Sequence, residues 1–402
     1  MHINRLWRLC AVLMLAPPGG CAQACSASGG LCAPPQPSTS TLAALPSVAR
    51  VSVAGQPVQD TAGQTLAPAA PAAAVRIALL IPLQSRRFRL PATAVRDGFM
   101  AAWDQERDGA EVELIATGDD VNEVLSAYER AASTHDIVVG PLTRPALNAI
   151  ASGTVTRATI ALNHPDSGIA LPPLMLAIGL SIEDEARQVA EWAAREHPGG
   201  RALILSGPEA WQQRMAQAFE LRWSELGRNG RSEELATDGG QVDPDAVELV
   251  RTRMEVDPPE LIFAALDAGQ LRRARALLGT AIPCYAASSA HPGRTDGGGV
   301  AELDGLRLLD LPWEVQPGHA PVTRYPRWLN SSHALDMDRL YALGIDAYRL
   351  ARALARAPGA AVELDGVTGK LSASLAAPAA FRRTEATVVY RDGTFQPPEP
   401  ER

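Results

Sequence analysis

The feature that most constrains the fold is an unbroken apolar segment followed by an amphipathic helix, within residues 75–103. The segment Val75–Leu83 does not alternate between apolar and polar residues, which is typical of a strand buried on both faces of a parallel sheet. After a polar, basic turn, a helix is predicted from Ala92. Its apolar side chains recur at helical spacing at Val95, Phe99, Ala102 and Trp103. We therefore expect one face of this helix to pack on the sheet.

The same order of strand and helix repeats along residues 75–396, a length sufficient for two lobes with separate cores. Strands are predicted at Val75–Leu83, Glu111–Thr117, Ile137–Val139, Thr159–Leu162, Leu174–Ala177, Ala202–Ser206, Ser232–Ala236, Leu261–Ala265, Cys284–Ala287 and Leu306–Asp310. Helices are predicted at Ala92–Glu106, Val121–Ser133, Arg144–Gly153, Ile182–Glu196, Glu209–Leu226, Asp243–Val256, Ala268–Leu278 and Leu335–Arg356. This alternation predicts parallel sheets covered by helices on both faces. Val362–Thr368 and Glu385–Tyr390 are predicted to form an antiparallel pair, with a turn at residues 391–393.

Residues 1–20 have the three parts of a signal peptide: a basic start, an apolar core at Leu9–Ala16, and a small-residue stretch. The apolar core is much shorter than the roughly 20 residues that span a bilayer. Cys21 follows two glycines, as in lipoprotein leaders where this cysteine carries the lipid, although Pro18 is atypical. Cys25 is a second candidate for lipidation. The alternative is an ordinary secretion signal cleaved near residues 22–24.

Residues 21–74 are predicted to form a disordered linker. From residue 33 onward this segment consists mainly of Ala, Pro, Ser, Thr, Gln and Gly, with little charge. Such a composition cannot bury enough apolar surface to offset the entropy lost on ordering. Four of the five cysteines lie in the first 32 residues and only Cys284 lies in the globular part. No disulfide framework is therefore expected there.

The sequence lacks the motifs of common catalytic and metal sites. It contains no H-E-x-x-H, C-x-x-C, G-x-S-x-G or Walker-type phosphate loop. The net charge is −8 and the basic residues form no stripe, which argues against nucleic-acid binding. The acidic groups 119–120 and 183–185 stand at predicted helix starts, where acids stabilise the helix dipole. We therefore expect no catalytic residue, metal or cofactor, and a hydrolase is disfavoured.

Several short segments occur in an order that is found in one protein family. The segments are Ile77–Leu83, Asp97–Phe99, Ile137–Leu142, Ala161–Asn163, Ser181–Ala186, Tyr285–Ser289, Leu303–Leu306, Leu311–Trp313, Arg339–Ala351 and Gly366–Leu371. Together they resemble the LppC-type penicillin-binding-protein activator lipoproteins, whose C-terminal domain has the fold of type I periplasmic binding proteins. The likeness covers about residues 75–395.

The resemblance implies an α/β fold of two Rossmann-like lobes with parallel sheets joined by a hinge, preceded by the disordered linker. By analogy, the first lobe would hold about residues 75–180 and 312–360. The second lobe would hold about residues 181–311 and 361–395. Fuller members of the family carry a helical-repeat domain before this one, and here the low-complexity segment takes that place.

The resemblance also implies a function at the cell wall. The chain would be a lipoprotein anchored on the periplasmic face of the outer membrane, and Ala22 after the lipidated cysteine is consistent with that destination. It would bind a bifunctional peptidoglycan synthase, which is a penicillin-binding protein, and activate it by direct contact. It would catalyse no reaction of its own.

The alternative is a periplasmic solute-binding protein of an ABC transporter, with an amino acid or similar small ligand in the cleft between the lobes. Such a site needs polar groups that converge on the charged ends of the ligand. The candidates are Gln84, Ser85, Thr143, Asn163, His164, Ser288, Ser289 and Glu314. For each of them, a hydrogen-bonded loop residue is the simpler interpretation. Arg86, Arg87 and Arg89 would place three positive charges at the cleft mouth, which disfavours an importer of this type.

Overall fold

The computed structural model describes residues 74–293, 300–328 and 335–399. The predicted signal peptide, both candidate lipidation sites (Cys21 and Cys25) and residues 21–73 of the predicted linker lie outside the described residues. Among the residues that are described, no helix is both long and apolar enough to cross a membrane.

The described residues alternate between strands and helices for most of their length. The strands are β1 (Arg76–Ile81), β2 (Glu111–Ala116), β3 (Ile137–Val139), β4 (Ala158–Ala161), β5 (Met175–Ala177), β6 (Ala202–Ser206), β7 (Gly230–Glu234), β8 (Thr237–Asp238), β9 (Gln241–Val242), β10 (Leu261–Ala265), β11 (Cys284–Ala286), β12 (Arg307–Asp310), β13 (Val362–Asp365), β14 (Lys370–Ser374), β15 (Ala380–Thr384), β16 (Ala386–Arg391) and β17 (Thr394–Gln396). The helices are α1 (Arg89–Glu106), α2 (Val121–Thr134), α3 (Arg144–Ala151), α4 (Ile182–Glu196), α5 (Ala210–Glu225), α6 (Pro244–Val256), α7 (Ala268–Leu278), α8 (Pro312–Val315), α9 (Ala320–Thr323) and α10 (Leu335–Arg356).

The strands form two main sheets, and both have a parallel core. The first sheet has the order β2-β1-β3-β4-β5 and is parallel throughout. The second has the order β17-β16-β12-β11-β10-β6-β7, in which β16 and β17 are antiparallel additions. Two parallel sheets with helices packed on them confirm the predicted α/β class.

Strand β1 confirms the interpretation of the unbroken apolar segment. Ile77, Leu79 and Ile81 belong to the core that contains α1 and α10. Ala78 and Leu80 belong to the core that contains α2 and α3. Because successive side chains of a strand point to opposite faces, a strand covered on both faces needs apolar residues at every position.

Within the described residues the chain passes at three places between the first sheet, with the elements packed on its core, and the second sheet. These crossings follow β5 at residues 178–181, follow β12 at residues 310–312, and join β15 to β16 at residues 384–386. We name the first lobe as residues 75–180 and 312–384. The second lobe is then residues 181–311 and 385–396.

The return to the second sheet lies later in the chain than the sequence predicts. Strands β13, β14 and β15 form a small antiparallel sheet of their own. Its buried residues Val367, Leu371 and Ala373 belong to the core of the first lobe, against α10. The predicted pairing of Val362–Thr368 with Glu385–Tyr390 is therefore wrong. The first of these segments pairs with β14, and the second pairs with β12 and, across the turn at residues 391–393, with β17.

Helices α1 and α10 make a close contact that depends on two glycines. A Cβ atom on Gly98 of α1 would lie 1.9 Å from the carbonyl oxygen of Tyr341. A Cβ atom on Gly344 of α10 would lie 2.1 Å from the carbonyl oxygen of Val95. The backbones thus approach more closely than any other residue type allows. Both glycines belong to segments on which the family resemblance rests.

Asp346 of α10 holds the loop between β13 and β14. The side chain is fully buried and accepts hydrogen bonds from the amides of Val367 (3.1 Å) and Thr368 (2.7 Å) and from the Thr368 hydroxyl (2.7 Å). A Cβ atom on Gly366 would lie 2.5 Å from this carboxylate. The segments Arg339–Ala351 and Gly366–Leu371 therefore act as one structural unit.

Replacing Gly98 with alanine should destabilise the folded chain, because the added methyl group cannot fit against α10. Overpacking of this kind costs about 1–3 kcal/mol or more in free energy of unfolding. Urea titration followed by circular dichroism measures the change. Gly318→Ala is the matched control, since a Cβ atom there meets nothing within 4 Å. Equal stability of the two variants would contradict the close helix contact.

Candidate functional site

A buried carboxylate stands at or beside each of the three crossings between the lobes. Glu185 lies in the first turn of α4, directly after the first crossing. Asp310 ends β12 and Glu385 lies between β15 and β16. Their exposed fractions are only 4%, 0% and 8%. We name these three residues the crossing carboxylates.

Arg339 of α10 joins the first lobe to the second. Its guanidinium donates two hydrogen bonds to the carboxylate of Asp310, at 2.7 and 3.1 Å. It also donates to the carbonyl oxygen of Ser288 (2.9 Å) and to Asp336 (3.1 Å). Arg339 and Asp310 are both buried, so each charge has lost its contact with water. The bidentate geometry compensates for this loss, because it supplies each group with hydrogen bonds from the other.

Within the second lobe, Ser288 donates two hydrogen bonds to Glu185. The Ser288 hydroxyl donates to the carboxylate at 2.6 Å and the Ser288 amide donates at 3.1 Å. Burial, together with the nearby charge of Asp310, raises the pKa of Glu185 to about 7, although the hydrogen bonds from Ser288 and the charge of Arg339 oppose the rise. Glu185 therefore takes up or loses a proton near neutral pH.

The third crossing combines Glu385 with Arg383. Arg383 donates to the carbonyl oxygens of Ile178 (2.7 Å) and Gly179 (3.0 Å), which ties the third crossing to the first. Burial raises the pKa of Glu385 well above its ordinary value, and the charge of Glu185 adds to the effect. One Glu385 oxygen, Oε2, has no hydrogen-bond partner among the described residues.

A pocket of about 520 Å³ lies beside this cluster, where β10 and β11 end. Its lining includes Trp211, Asp267, Ser288, Ser289, His291 and Arg339. Burial lowers the pKa of His291, so its imidazole is neutral at neutral pH. The pocket thus offers hydroxyls, an aromatic ring and charged groups at the carboxyl ends of parallel strands, where α/β proteins bind ligands.

The structure brings only some of the predicted cleft candidates to pockets. Ser288 and Ser289 line the pocket just described, and the Ser289 hydroxyl donates to the carbonyl oxygen of Leu266 at 3.0 Å. His164 lines a separate pocket of about 440 Å³, next to Arg383. The imidazole of His164 donates from Nε2 to the carbonyl oxygen of Gly179 at 2.9 Å.

The remaining candidates line neither of these two pockets. Gln84 donates from its amide to the carbonyl oxygen of Ala116. Asn163 donates to the carbonyl oxygen of Leu142 at 2.9 Å.

The last three candidates differ in their surroundings. Ser85 is buried and holds the turn before α1. Thr143 is the N-cap residue of α3, but its side chain makes no capping hydrogen bond. Glu314 is partly buried, and burial raises its pKa to about 7, with the charge of Asp310 adding to the rise.

Sequence reasoning missed the crossing carboxylates as a group. It assigned Glu185 to the helix start with Glu183 and Asp184, and Ser181 does cap this helix, since its hydroxyl oxygen accepts a hydrogen bond from the amide of Asp184. A usable signal existed, because Glu185 lies four residues before Val189, on the buried face of α4. No local pattern could connect it to Asp310, which is distant in sequence.

Replacing Arg339 with methionine should strongly destabilise the chain. The substitution leaves Asp310 buried without its cation, and loss of one partner of a buried pair costs about 3–5 kcal/mol. Denaturant titration of the two proteins gives the difference in unfolding free energy. Arg251→Met is the control, because the Arg251–Glu248 pair is exposed on one helix and its loss should leave stability nearly unchanged. A small effect at Arg339 would contradict its role in joining the lobes.

The stability of the folded chain should fall between pH 5 and pH 8, in part because of Glu185. The folded chain holds the Glu185 proton more tightly than the unfolded chain does, since burial raises the pKa to about 7. This contribution is fully present below the unfolded pKa and is lost as the pH rises through about 7. Glu185→Gln should flatten the dependence, as measured by urea titration at several pH values.

The matched control for that experiment is Glu183→Gln, in the same helical turn. The pKa of Glu183 is lowered by hydrogen bonds from Arg214 and neighbouring groups, which outweigh the opposing effect of burial. Its carboxylate is therefore ionised throughout this range, and the substitution should leave the slope unchanged. Equal slopes for all three proteins would contradict the assignment to Glu185.

A family model described as "LppC putative lipoprotein" matches residues 64–378 of the chain. Two curated proteins named penicillin-binding protein activator LpoA are similar to this chain. That of Serratia proteamaculans is 26% identical over 313 residues, which cover 65% of this chain and 43% of that protein. That of Aliivibrio fischeri is 27% identical over 337 residues, which cover 74% and 53%. The chain spans about half the length of the curated relatives it matches.

Solved structures share the fold. The C-domain of LpoA from Haemophilus influenzae, described as a regulator of PBP1A, has a TM-score of 0.64 at 23% identity and covers 80% of this chain and 99% of that one. A protein from Chromobacterium violaceum described as "a putative branched-chain amino acid ABC transporter" has a TM-score of 0.67 at 34% identity, covering 79% and 100%. The two-lobed architecture is thus that of the LpoA C-domain and of type I periplasmic binding proteins.

Proposed function

Because the chain belongs to the LppC lipoprotein family, we propose that it binds and activates a bifunctional peptidoglycan synthase, a penicillin-binding protein. The observation that carries this proposal is the family match over residues 64–378, together with curated relatives that are named penicillin-binding protein activators. Segments on which the family resemblance rests also form specific contacts in this structure. They supply the close contact of α1 with α10 and the loop held by Asp346.

We also propose where the chain is located in the cell envelope. A lipid on Cys21 would anchor the chain to the periplasmic face of the outer membrane, and residues 21–74 would connect the anchor to the folded part. Support comes from the lipoprotein family match and from the leader-like residues 1–20. The synthase would be reached by direct contact, and the chain itself would catalyse no reaction.

The polar groups of the lobe junction favour a protein regulator over a solute binder. The buried cation Arg339 is already occupied by Asp310, by Asp336 and by the carbonyl oxygen of Ser288. A ligand carboxylate would have to displace these partners. On the side of the first lobe, the Ser85 hydroxyl is directed to backbone amides of its own turn.

A solute-binding protein for an amino acid or similar ligand is the second candidate. It is favoured by the Chromobacterium violaceum structure, whose full length the chain covers at 34% identity. The pocket of about 520 Å³ beside Ser288 and Ser289 has a size suited to a small ligand. Its mixed lining includes the aromatic ring of Trp211, against which an aliphatic side chain could pack.

Adding the full-length chain to the purified bifunctional synthase of the same bacterium should raise its rate of peptidoglycan synthesis above that of the synthase alone. The reason is that a contact selective for the active state of the synthase shifts its population toward that state. Radiolabelled lipid II incorporation measures the rate. Free amino acids should not change the stimulation, and Trp211→Ala in the pocket should retain it.

The opposite result would favour the second candidate. In that case the chain would neither bind nor stimulate the synthase, and calorimetry would detect binding of a free amino acid to the full-length chain. Trp211→Ala would then weaken this binding.

A further inference from the structure

The turn between β1 and α1 presents three exposed arginines within four residues, Arg86, Arg87 and Arg89. None of the three takes part in an ion pair in the part of the chain that the structure describes. The chain as a whole carries a net charge of −8, so this cluster is opposite in sign to the net charge of the chain. Uncompensated positive charge at one place on an acidic protein favours an acidic partner.

The turn is held rigidly by Ser85. The Ser85 hydroxyl accepts hydrogen bonds from the amides of Arg87 (3.1 Å) and Phe88 (2.9 Å), and its carbonyl oxygen accepts from the amide of Arg89 (3.1 Å). Only 1% of Ser85 is exposed. The arginines therefore project from a preformed backbone, which lowers the entropy lost when a partner binds.

Helix α1 adds positive potential to the same place. The helix begins at Arg89, and its first turn contains no acidic residue. The N-terminal end of a helix carries a partial positive charge, which acids in the first turn usually offset. Helix α4, by contrast, has Glu183, Asp184 and Glu185 in its first turn.

Apolar side chains lie between and beside the arginines. Phe88 is partly exposed, and the Arg87 guanidinium lies over its ring at 5.2 Å from the centroid. Leu90 is 41% exposed. Arginine combined with aromatic side chains is typical of the residues that dominate protein–protein interfaces. This mixture of charged and apolar side chains favours a protein as the partner over a ligand that would be bound by its charge alone.

We propose that residues 86–90 form a docking surface for an acidic segment of the synthase that the chain activates. This inference rests on the proposed function and adds to it the surface of contact and the charge of the partner. Ser85 acts as a positioning residue, because it fixes the backbone from which the arginines project. The surface lies on the first lobe, and none of residues 86–90 is among the lining residues of the pocket beside Ser288.

The test compares two double charge reversals in the full-length chain. Arg86→Glu/Arg87→Glu changes the proposed surface. Arg272→Glu/Arg273→Glu is the matched control, since both of these arginines are exposed on α7 and form no ion pair among the described residues. The two variants change the net charge equally. Circular dichroism and thermal unfolding establish that both are folded.

Surface plasmon resonance with the purified synthase, at low and at physiological salt, measures the affinity. The Arg86/Arg87 reversal should weaken binding by about tenfold or more, chiefly because association with the synthase becomes slower. The affinity of this variant should also depend less on the salt concentration. The control should bind like the unaltered chain. A neutralising variant, Arg86→Gln/Arg87→Gln/Arg89→Gln, should also weaken binding, which separates loss of attraction from new repulsion.

The possible failures are distinguishable. If the unaltered chain binds the synthase and the Arg86/Arg87 reversal does not weaken it, this inference is wrong while the proposed function stands. If both reversals weaken binding equally, general charge rather than this surface is responsible, and the inference is also wrong. If the unaltered chain does not bind the synthase at all, the proposed function fails and this inference fails with it. Loss of binding to vesicles of anionic phospholipid, with synthase binding intact, would identify a membrane contact and overturn the inference.

Discussion

The relation between the two lobes depends on the buried pair of Arg339 and Asp310. Arg339 is the fifth residue of α10, a helix that belongs to the first lobe, and Asp310 stands at the end of a strand of the second sheet. Neither charge can be left unpaired at such low exposure without a large cost, so the pair constrains how far the lobes can separate. Ser288 extends the constraint, because its carbonyl oxygen binds Arg339 while its hydroxyl and amide bind Glu185. A change in protonation of Glu185 therefore acts directly on the junction.

The elements of the parallel sheets could be predicted from the sequence because their signals are local. Strand β10 and helices α4, α7 and α10 have the predicted bounds, since the apolar pattern that predicts each element lies within its own segment. Strand β7 begins two residues earlier than predicted, because its register is set by pairing with β6. The small sheet β13–β15 was not predicted as a unit. Its short strands carry a weak pattern, and what fixes it to the first lobe is the remote side chain of Asp346.

The candidate site was harder to predict than the fold, and for a physical reason. Ser288 and Ser289 could be selected because polar residues after a buried strand lie where ligands bind. The partners of Ser288 are Glu185 and Arg339, which lie on helices 103 and 51 residues away in the chain, and only the tertiary structure brings them together. The structure also gives Ser85 a different role from the one that its place in the sequence suggested. Its position suggested a ligand hydroxyl, whereas its hydrogen bonds shape the turn that carries the arginines.

A fold that elsewhere holds small solutes can serve protein recognition if its polar groups are redirected. In this chain the buried cation of the junction already has its anion in Asp310, and the hydroxyl after β1 already has its donors in two backbone amides. The charges left without partners near the start of α1 are on the outside, at Arg86, Arg87 and Arg89. Unsatisfied charge attracts a partner only where that partner can reach it, so the exposed turn is better placed to bind a large acidic surface than a small enclosed ligand. A hinge held by Arg339 would then serve to set the orientation of the two lobes toward a protein partner.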